Sequence, residues 1–222
     1  MSLYEENPLL CEKWVLFAAV NHFNSAPFGL VEPDLLIETN HTAAINAIEL
    51  AAFAPALQYL RKAAECLDSS KTRWETHYDY CLTIFSLAAD MEFTIGSFHR
   101  GLRYSNQVKA NARTYEDKMP VLFALSEGYS QREMHAKALE IDIQMLKSLG
   151  YMPKGPFLLR SLHGLHTMNS IFDRMSDSEF LAMPELDDET LLKANRVLAN
   201  LIVHAVFCDK MFALQVARAT NA

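Results

Sequence analysis

The chain has 222 residues, half of them hydrophobic and about a fifth charged, with only 7 Gly and 8 Pro. That balance excludes a disordered chain and argues against a turn-rich all-β fold. The formal net charge is −7 and no stretch gathers Lys and Arg, which argues against a phosphate-reading nucleic-acid binder.

Cys11, Cys66, Cys81 and Cys208 lie far apart with no CxxC pair, which predicts free thiols in a reducing compartment and no zinc or redox centre. The start, Met1-Ser2-Leu3-Tyr4-Glu5-Glu6, lacks the basic and apolar regions of a signal peptide. The apolar runs are far shorter than the roughly 20 residues of a membrane span. The expectation is a cytoplasmic protein that does not insert into a membrane.

In chain order, Pro8 to about Asn24 predicts a helix with Leu10, Trp14, Phe17 and Ala18 on one side. Pro27 and Gly29 break it, and a helix from Pro33 leads into the run from Asn40 to Glu49. Pro55 fits the first turn of the next helix, which holds Tyr59, Leu60 and Ala63. Thr72-Arg73-Trp74-Glu75 reads as a capping box, followed by an apolar stripe of Trp74, Tyr78, Cys81, Leu82, Phe85 and Ala89. Gly96 separates this helix from one carrying Phe98, Leu102 and Ser105.

Two further helices are predicted over Tyr115 to Tyr129 and Arg132 to Leu149. Ser130-Gln131-Arg132-Glu133 reads as a second capping box, and Gly150 with Pro153 and Pro156 as the stop. Phe157 to Arg174 is predicted helical, and Ser176-Asp177-Ser178-Glu179 caps a short turn ending at Pro184. Asp187-Asp188-Glu189 opens a long helix with Leu191, Leu198, Leu201, Ile202 and Ala205 on its buried stripe. A last helix is predicted from about Lys210.

Shifting the chain by about 41 residues aligns these helices in pairs. Ala56-Leu57, Ser97-Phe98 and Ala138-Leu139 fall in register, each a small residue before a large apolar one. Trp74-Glu75 aligns with Tyr115-Glu116, Cys81-Leu82 with Leu122-Phe123, and Glu92-Phe93 with Glu133-Met134. The predicted fold is all-α, a right-handed stack of antiparallel helix pairs of the tetratricopeptide-like α-solenoid kind. It forms a single helical-repeat region: irregular helices over 8–50, repeat pairs over about 51–150, and further helices over 156–222. A lone pair cannot bury both of its faces, so stacking would supply the stability.

No catalytic, cofactor or metal site is read from the residues. The phosphate-binding glycine loops, the kinase catalytic-loop and DFG signatures, the GxSxG elbow and the HExxH helix are all absent. His163 and His166 could share a helix face, but no third metal ligand stands near. The acidic run Glu185 to Glu189 lacks the spacing and glycine of a calcium loop. The candidate interaction face is a concave helical surface around Tyr78, His99 and Tyr129. Its occupant is expected to be a protein or a neighbouring domain; the alternative is a sensor or small enzyme that binds a small molecule or nucleotide there. Oligomeric state is left open.

Several segments carry a resemblance in their order along the chain. They are Phe17-Ala18-Ala19-Val20-Asn21-His22-Phe23-Asn24, Ala54 to Ala63, Trp74-Glu75-Thr76-His77-Tyr78, Leu146 to Pro153, and the linker Met183-Pro184-Glu185-Leu186-Asp187-Asp188. Together they resemble the tetratricopeptide-like helical region of large signalling proteins. Those proteins join a serine/threonine kinase-like domain, an AAA-type ATPase domain, a GAF domain and a histidine kinase. Leu125, Ser126, Tyr129 and Ala138 keep the tetratricopeptide spacing, with Ile141-Asp142-Ile143 replacing its later aromatic residue. The resemblance implies a non-catalytic relay between nucleotide-dependent and sensor or kinase modules, and carries over no catalytic residue.

Overall fold

The computed structural model of the chain describes residues 8–27, 29–151, 176, 178–179, 182 and 187–208. Every extended element among them is an α-helix, and the described residues contain no strand. The helices are α1 (Pro8–Ser25), α2 (Pro33–Glu49), α3 (Phe53–Asp68), α4 (Arg73–Thr76) and α5 (Tyr78–Thr94). They continue with α6 (Phe98–Asn111), α7 (Tyr115–Ser130), α8 (His135–Leu149) and α9 (Glu189–Cys208). The chain divides into two compact units, Met1–Ala124 and Leu125–Ala222, so α7 contributes to both. The helices expected over Phe157 to Arg174 and from Lys210 lie outside the described residues.

Three helix pairs are joined across a left-handed stop, which also closes α8, where Gly150 (φ 80°) donates to Lys147 and Tyr151 to Leu146. Ala51, Gly96 and Glu133 all have positive φ, at 55°, 81° and 59°. Each donates its N–H to the carbonyl three residues back: Ala51 to Ile48, Gly96 to Phe93 and Glu133 to Ser130. The next residue then donates to the carbonyl five back, from Ala52 to Ala47, Ser97 to Glu92 and Met134 to Tyr129, at 2.7–3.0 Å. This left-handed stop satisfies the last carbonyls of the first helix. The residue after it has nearly the same backbone in every case, with φ between −81° and −88° and ψ between 49° and 67°. Thus α2–α3, α5–α6 and α7–α8 share one joint.

The joints correct the sequence register. Gly96 follows Ala51 by 45 residues and Glu133 follows Gly96 by 37, so 41 is their mean. The longer spacing arises because α4 occupies the link between α3 and α5, whereas only residues 112–114 link α6 to α7. Counted from the joints, Gly101, not Ser97, corresponds to Ala56 and Ala138. Ser97 is the residue before α6 begins. The first helix pair starts at Pro33, well before residue 51.

Small residues let the paired helices approach. Ala44 and Ala56, Ala89 and Gly101, and Ser126 and Ala138 are each twelve residues apart, and all six are buried. At Gly101 a Cβ atom would lie 2.6 Å from the Phe93 ring of α5, which makes glycine obligatory for this packing. Around these contacts lie Leu57, Leu60 and Leu67 of α3, with Ile84, Phe85 and Ala88 of α5. The solvent-free interior of the first unit is built from these side chains.

Two expected capping boxes are not formed. Thr72 makes no side-chain cap and the helix after it stops at Thr76, because His77 adopts φ −130° and ψ 42°. Ser130 ends α7, and Glu133 is taken by the joint. Reciprocal caps occur instead at Thr114–Asp117, where each backbone N–H reaches the other's side chain, and at Ser176–Glu179. Asp188 caps α9 through the N–H groups of Thr190 and Leu191.

The α1 stripe also differs from expectation. Trp14 is 68% exposed and Ala18 is exposed, while Val20 is fully buried. Phe17 stacks on Tyr59, Asn21 accepts from the Tyr59 hydroxyl, and Asn24 exchanges amide hydrogen bonds with Asn40 at 2.8 Å. Polar residues therefore share the packed side of α1. In the second unit, α9 packs on α8 with Ala194, Val197, Leu198, Leu201 and Ala205 buried. Of the described helices, α9 alone is long and apolar enough by length and composition to cross a membrane.

Candidate functional site

Two of the residues expected to form one face, Tyr78 and His99, stand at opposite ends of the α5–α6 pair. Tyr78 begins α5 and packs against the link after α6. Its hydroxyl donates to Asp117 Oδ2 at 2.5 Å and accepts the Arg113 N–H at 2.8 Å. The Arg113 guanidinium lies 3.9 Å from the centre of the Tyr78 ring, a cation–π contact. His99 is exposed beside the joint at the other end of the α5–α6 pair, edge-on to Phe98. Tyr129 belongs to the second unit, where Lys137 Nζ lies 5.4 Å from its ring centre. Within the first unit, Tyr78 and His99 are not brought together.

The Tyr78 cluster is a mechanical clamp. Hydrogen bonds from Tyr78 and from the Thr114 N–H hold the Asp117 carboxyl below the usual carboxylate range. Burial, reinforced by the neighbouring carboxylate, pushes the Tyr78 phenol up. The outcome is a phenol that stays protonated and donates, which ties the start of α7 to the start of α5.

A second polar chain runs through His77. Its Nδ1 lies 2.8 Å from Thr76 Oγ1, and its Nε2 lies 3.0 Å from Asp34 Oδ1. Hydroxyl, imidazole and carboxylate thus stand in line, but Asp34 is 79% exposed and the Thr76 hydroxyl also faces the Thr72 carbonyl. In water-exposed surroundings this chain works as a brace between α2 and α5, without the dry, fixed setting that a nucleophile–base pair needs.

Two buried carboxylates were missed at the sequence level. Glu92 of α5 is fully buried and takes both arms of Arg61 from α3. That hydrogen bond raises the Arg61 pKa above its ordinary value. In the second unit, Asp142 is fully buried, accepts the Ser126 hydroxyl at 2.7 Å and meets His204 Nδ1 of α9 at 2.7 Å. Serine and histidine both address the aspartate and not each other, so the arrangement braces three helices instead of activating a hydroxyl. The available signal was a carboxylate inside an apolar stripe, Met91-Glu92-Phe93 and Ile141-Asp142-Ile143.

Cys81 is buried, and desolvation pushes its thiol up to about 11, which makes it a weak nucleophile. Among the described residues, no group of three or more His, Cys, Asp or Glu is placed to hold a metal ion. His163 and His166 lie outside the described residues. In comparisons with known proteins, no family model, no curated protein and no solved structure matches the chain.

Proposed function

We propose that the chain is a non-catalytic helical-repeat scaffold, a tetratricopeptide-like stack of helix pairs that joins proteins or neighbouring domains in signal transduction. The observation that carries this reading is the recurrence, in three helix pairs, of buried small residues twelve apart across a left-handed stop. Tetratricopeptide units place a large residue three before a large–small pair, with an aromatic three later, and follow them with a second small residue. Counted from the joints, Leu122, Leu125, Ser126, Tyr129 and Ala138 occupy those places in α7–α8, whereas in α5–α6 Phe85, Ala89 and Gly101 fit and Ala88 and Glu92 stand where the large and the aromatic residue belong.

Stacked pairs bury one seam and repeat one helix face along the stack, which suits the recognition of an extended partner. The resembled signalling region supports a place between nucleotide-dependent and sensor or kinase modules of a larger protein. The test is site-specific photocrosslinking from Thr83 and Glu38 in cells that express the chain. Reproducible crosslinks to a protein, in cis or in trans, are expected. Crosslinks to none would overturn the reading, as would saturable stabilisation and turnover of a metabolite by the purified chain.

A further inference from the structure

No run of sequence gathers positive charge, yet α6 and the link after it do. From Phe93 to Tyr115 there is no Asp or Glu, while Arg100, Arg103, Lys109 and Arg113 all fall there, in a chain of net charge −7. At about 100° per residue, Arg100, Arg103, Gln107 and Asn111 share an arc of about 80° on α6. Arg100, Arg103 and Asn111 are exposed on that arc, and Gln107 is half-buried. Arg73 of α4 donates from Nη2 to Gln107 Oε1 at 3.0 Å, which brings a further cation beside the strip. Arg113 stands just past the end of α6, exposed, against the Tyr78 ring.

What separates these cations from an ordinary solvated face is their partners and how they are held. Lys13, Arg61, Lys62, Arg73, Lys193 and Arg196 each meet a carboxylate. Arg100, Arg103 and Arg113 form no ion pair among the described residues, and their guanidinium N–H groups have no acceptor there. Two of the three are nonetheless held in place. The Arg103 guanidinium lies 5.2 Å from the centre of the Tyr104 ring and that of Arg113 lies 3.9 Å from the centre of Tyr78. Tyr104 is buried and stacked on Phe85, and Tyr78 is tied to Asp117 through its hydroxyl, so both supports are fixed. The carboxylates that border the strip are engaged already, Asp68 by Arg73 and Asp117 by Tyr78 and the Thr114 N–H. A guanidinium fixed on a ring loses little freedom when an anion arrives, and its planar fork of donors is open to one.

We propose that the strip of Arg100, Arg103, Gln107 and Arg113 docks an Asp- or Glu-rich peptide segment of a partner protein. This rests on the scaffold reading and names the chemistry of its partner. Each carboxylate of the segment takes two parallel N–H groups of one guanidinium, the geometry that favours arginine over lysine. Gln107 accepts from Arg73 through its carbonyl, which leaves its NH2 group to donate to the peptide. From Arg100 to the end of α6 the strip is about 17 Å long, the span of about five extended residues. An extended segment with acidic side chains at alternate positions therefore reaches both ends of it.

The experiment titrates the full chain into a fluorescein-labelled peptide of alternating Glu and Ser and follows anisotropy at low and raised salt. A Lys–Ser peptide and a thymidine oligonucleotide with the same label are the controls. Saturable binding of the glutamate peptide, weakened by salt, is expected. Arg100→Glu with Arg103→Glu should weaken it at least tenfold with the helical circular dichroism signal unchanged. Arg103→Lys keeps the charge but not the fork and should weaken it about threefold. Lys137→Glu with Lys147→Glu makes the same change of charge on α8 and should leave affinity within twofold. An equal loss in that α8 variant, no saturable binding, or equal binding of the Lys–Ser peptide would overturn the proposal. Tighter binding of the oligonucleotide, lost with Arg100 and Arg103, would overturn it in favour of a nucleic-acid site. Failure here leaves the scaffold reading standing, which falls only on its own crosslinking result.

Discussion

Arg61 holds Glu92 with two parallel hydrogen bonds, Nε to Oε1 at 2.8 Å and Nη2 to Oε2 at 2.9 Å, and so ties α3 to α5. The pair is lopsided: the Glu92 side chain is fully buried and the Arg61 side chain is 32% exposed. Removing the arginine strands a carboxylate away from water, whereas removing the glutamate leaves a guanidinium that can turn outward. Arg61→Met should therefore cost about 3 kcal/mol, and Glu92→Leu clearly less. Combining them should recover most of the loss. A double-mutant cycle by urea unfolding checks this, and simple additivity of the two losses would contradict it.

The three joints differ in how well their residues suit a positive φ. Gly96 has no Cβ to strain, but Ala51 and Glu133 do. A left-handed backbone costs an L-residue about 1–2 kcal/mol, and the extra unfolded-chain entropy of glycine offsets about half of any relief. Ala51→Gly and Glu133→Gly should each stabilise the chain by about 0.5–1 kcal/mol, with Gly96→Ala losing a similar amount. Urea midpoints measure all three. A loss of stability in Ala51→Gly would show that the joint is held differently.

Gly101 tests the close approach of α5 and α6. In an exposed helix, alanine would gain about 1 kcal/mol over glycine. Here its Cβ would meet the Phe93 ring at 2.6–2.9 Å. Phe93 is itself buried and packs on Phe98, so the ring has little room to yield. Gly101→Ala should destabilise by about 1–3 kcal/mol, and Phe93→Leu should rescue part of the loss. Thermal unfolding of the single and double variants reads the difference.

The Tyr78 clamp predicts a pH dependence at the acid end. Asp117 has a folded pKa below its ordinary 3.8, with the Tyr78 hydrogen bond as the largest cause. A depressed carboxylate binds fewer protons folded than unfolded, so its contribution to stability is present above the unfolded pKa. It is lost as pH falls through the lower folded value. Tyr78→Phe should move the Asp117 titration back up toward the ordinary carboxylate range, as followed by carboxyl NMR. An unmoved titration would assign the shift to Thr114 instead.

Helix identity was legible because it depends on neighbours in sequence. The stripe of Cys81, Phe85 and Ala89, the stop at Gly150 and the separation at Gly96 all stand as read from the residues. The separation of Tyr78 from His99 was not legible. Tyr78, His99 and Tyr129 looked alike as exposed-capable rings, yet one is clamped by Asp117, one is exposed beside a joint and one belongs to the second unit. The capping boxes failed for a related reason. Serine or threonine three residues before glutamate is common, and whether it caps depends on where the tertiary packing lets the helix begin.

The amino-acid sequence by itself determined an all-helical chain and the order of its elements, because apolar spacing, glycine and proline act over a few residues of backbone. Only the tertiary structure decided that the mean period of 41 conceals spacings of 45 and 37. The positive φ at Ala51 and Glu133 is unfavourable locally, and packing of one helix on the next is what holds it. The same holds for Glu92 and Asp142: a carboxylate in an apolar stripe is a contradiction until Arg61, or Ser126 and His204, arrives from another helix to satisfy it.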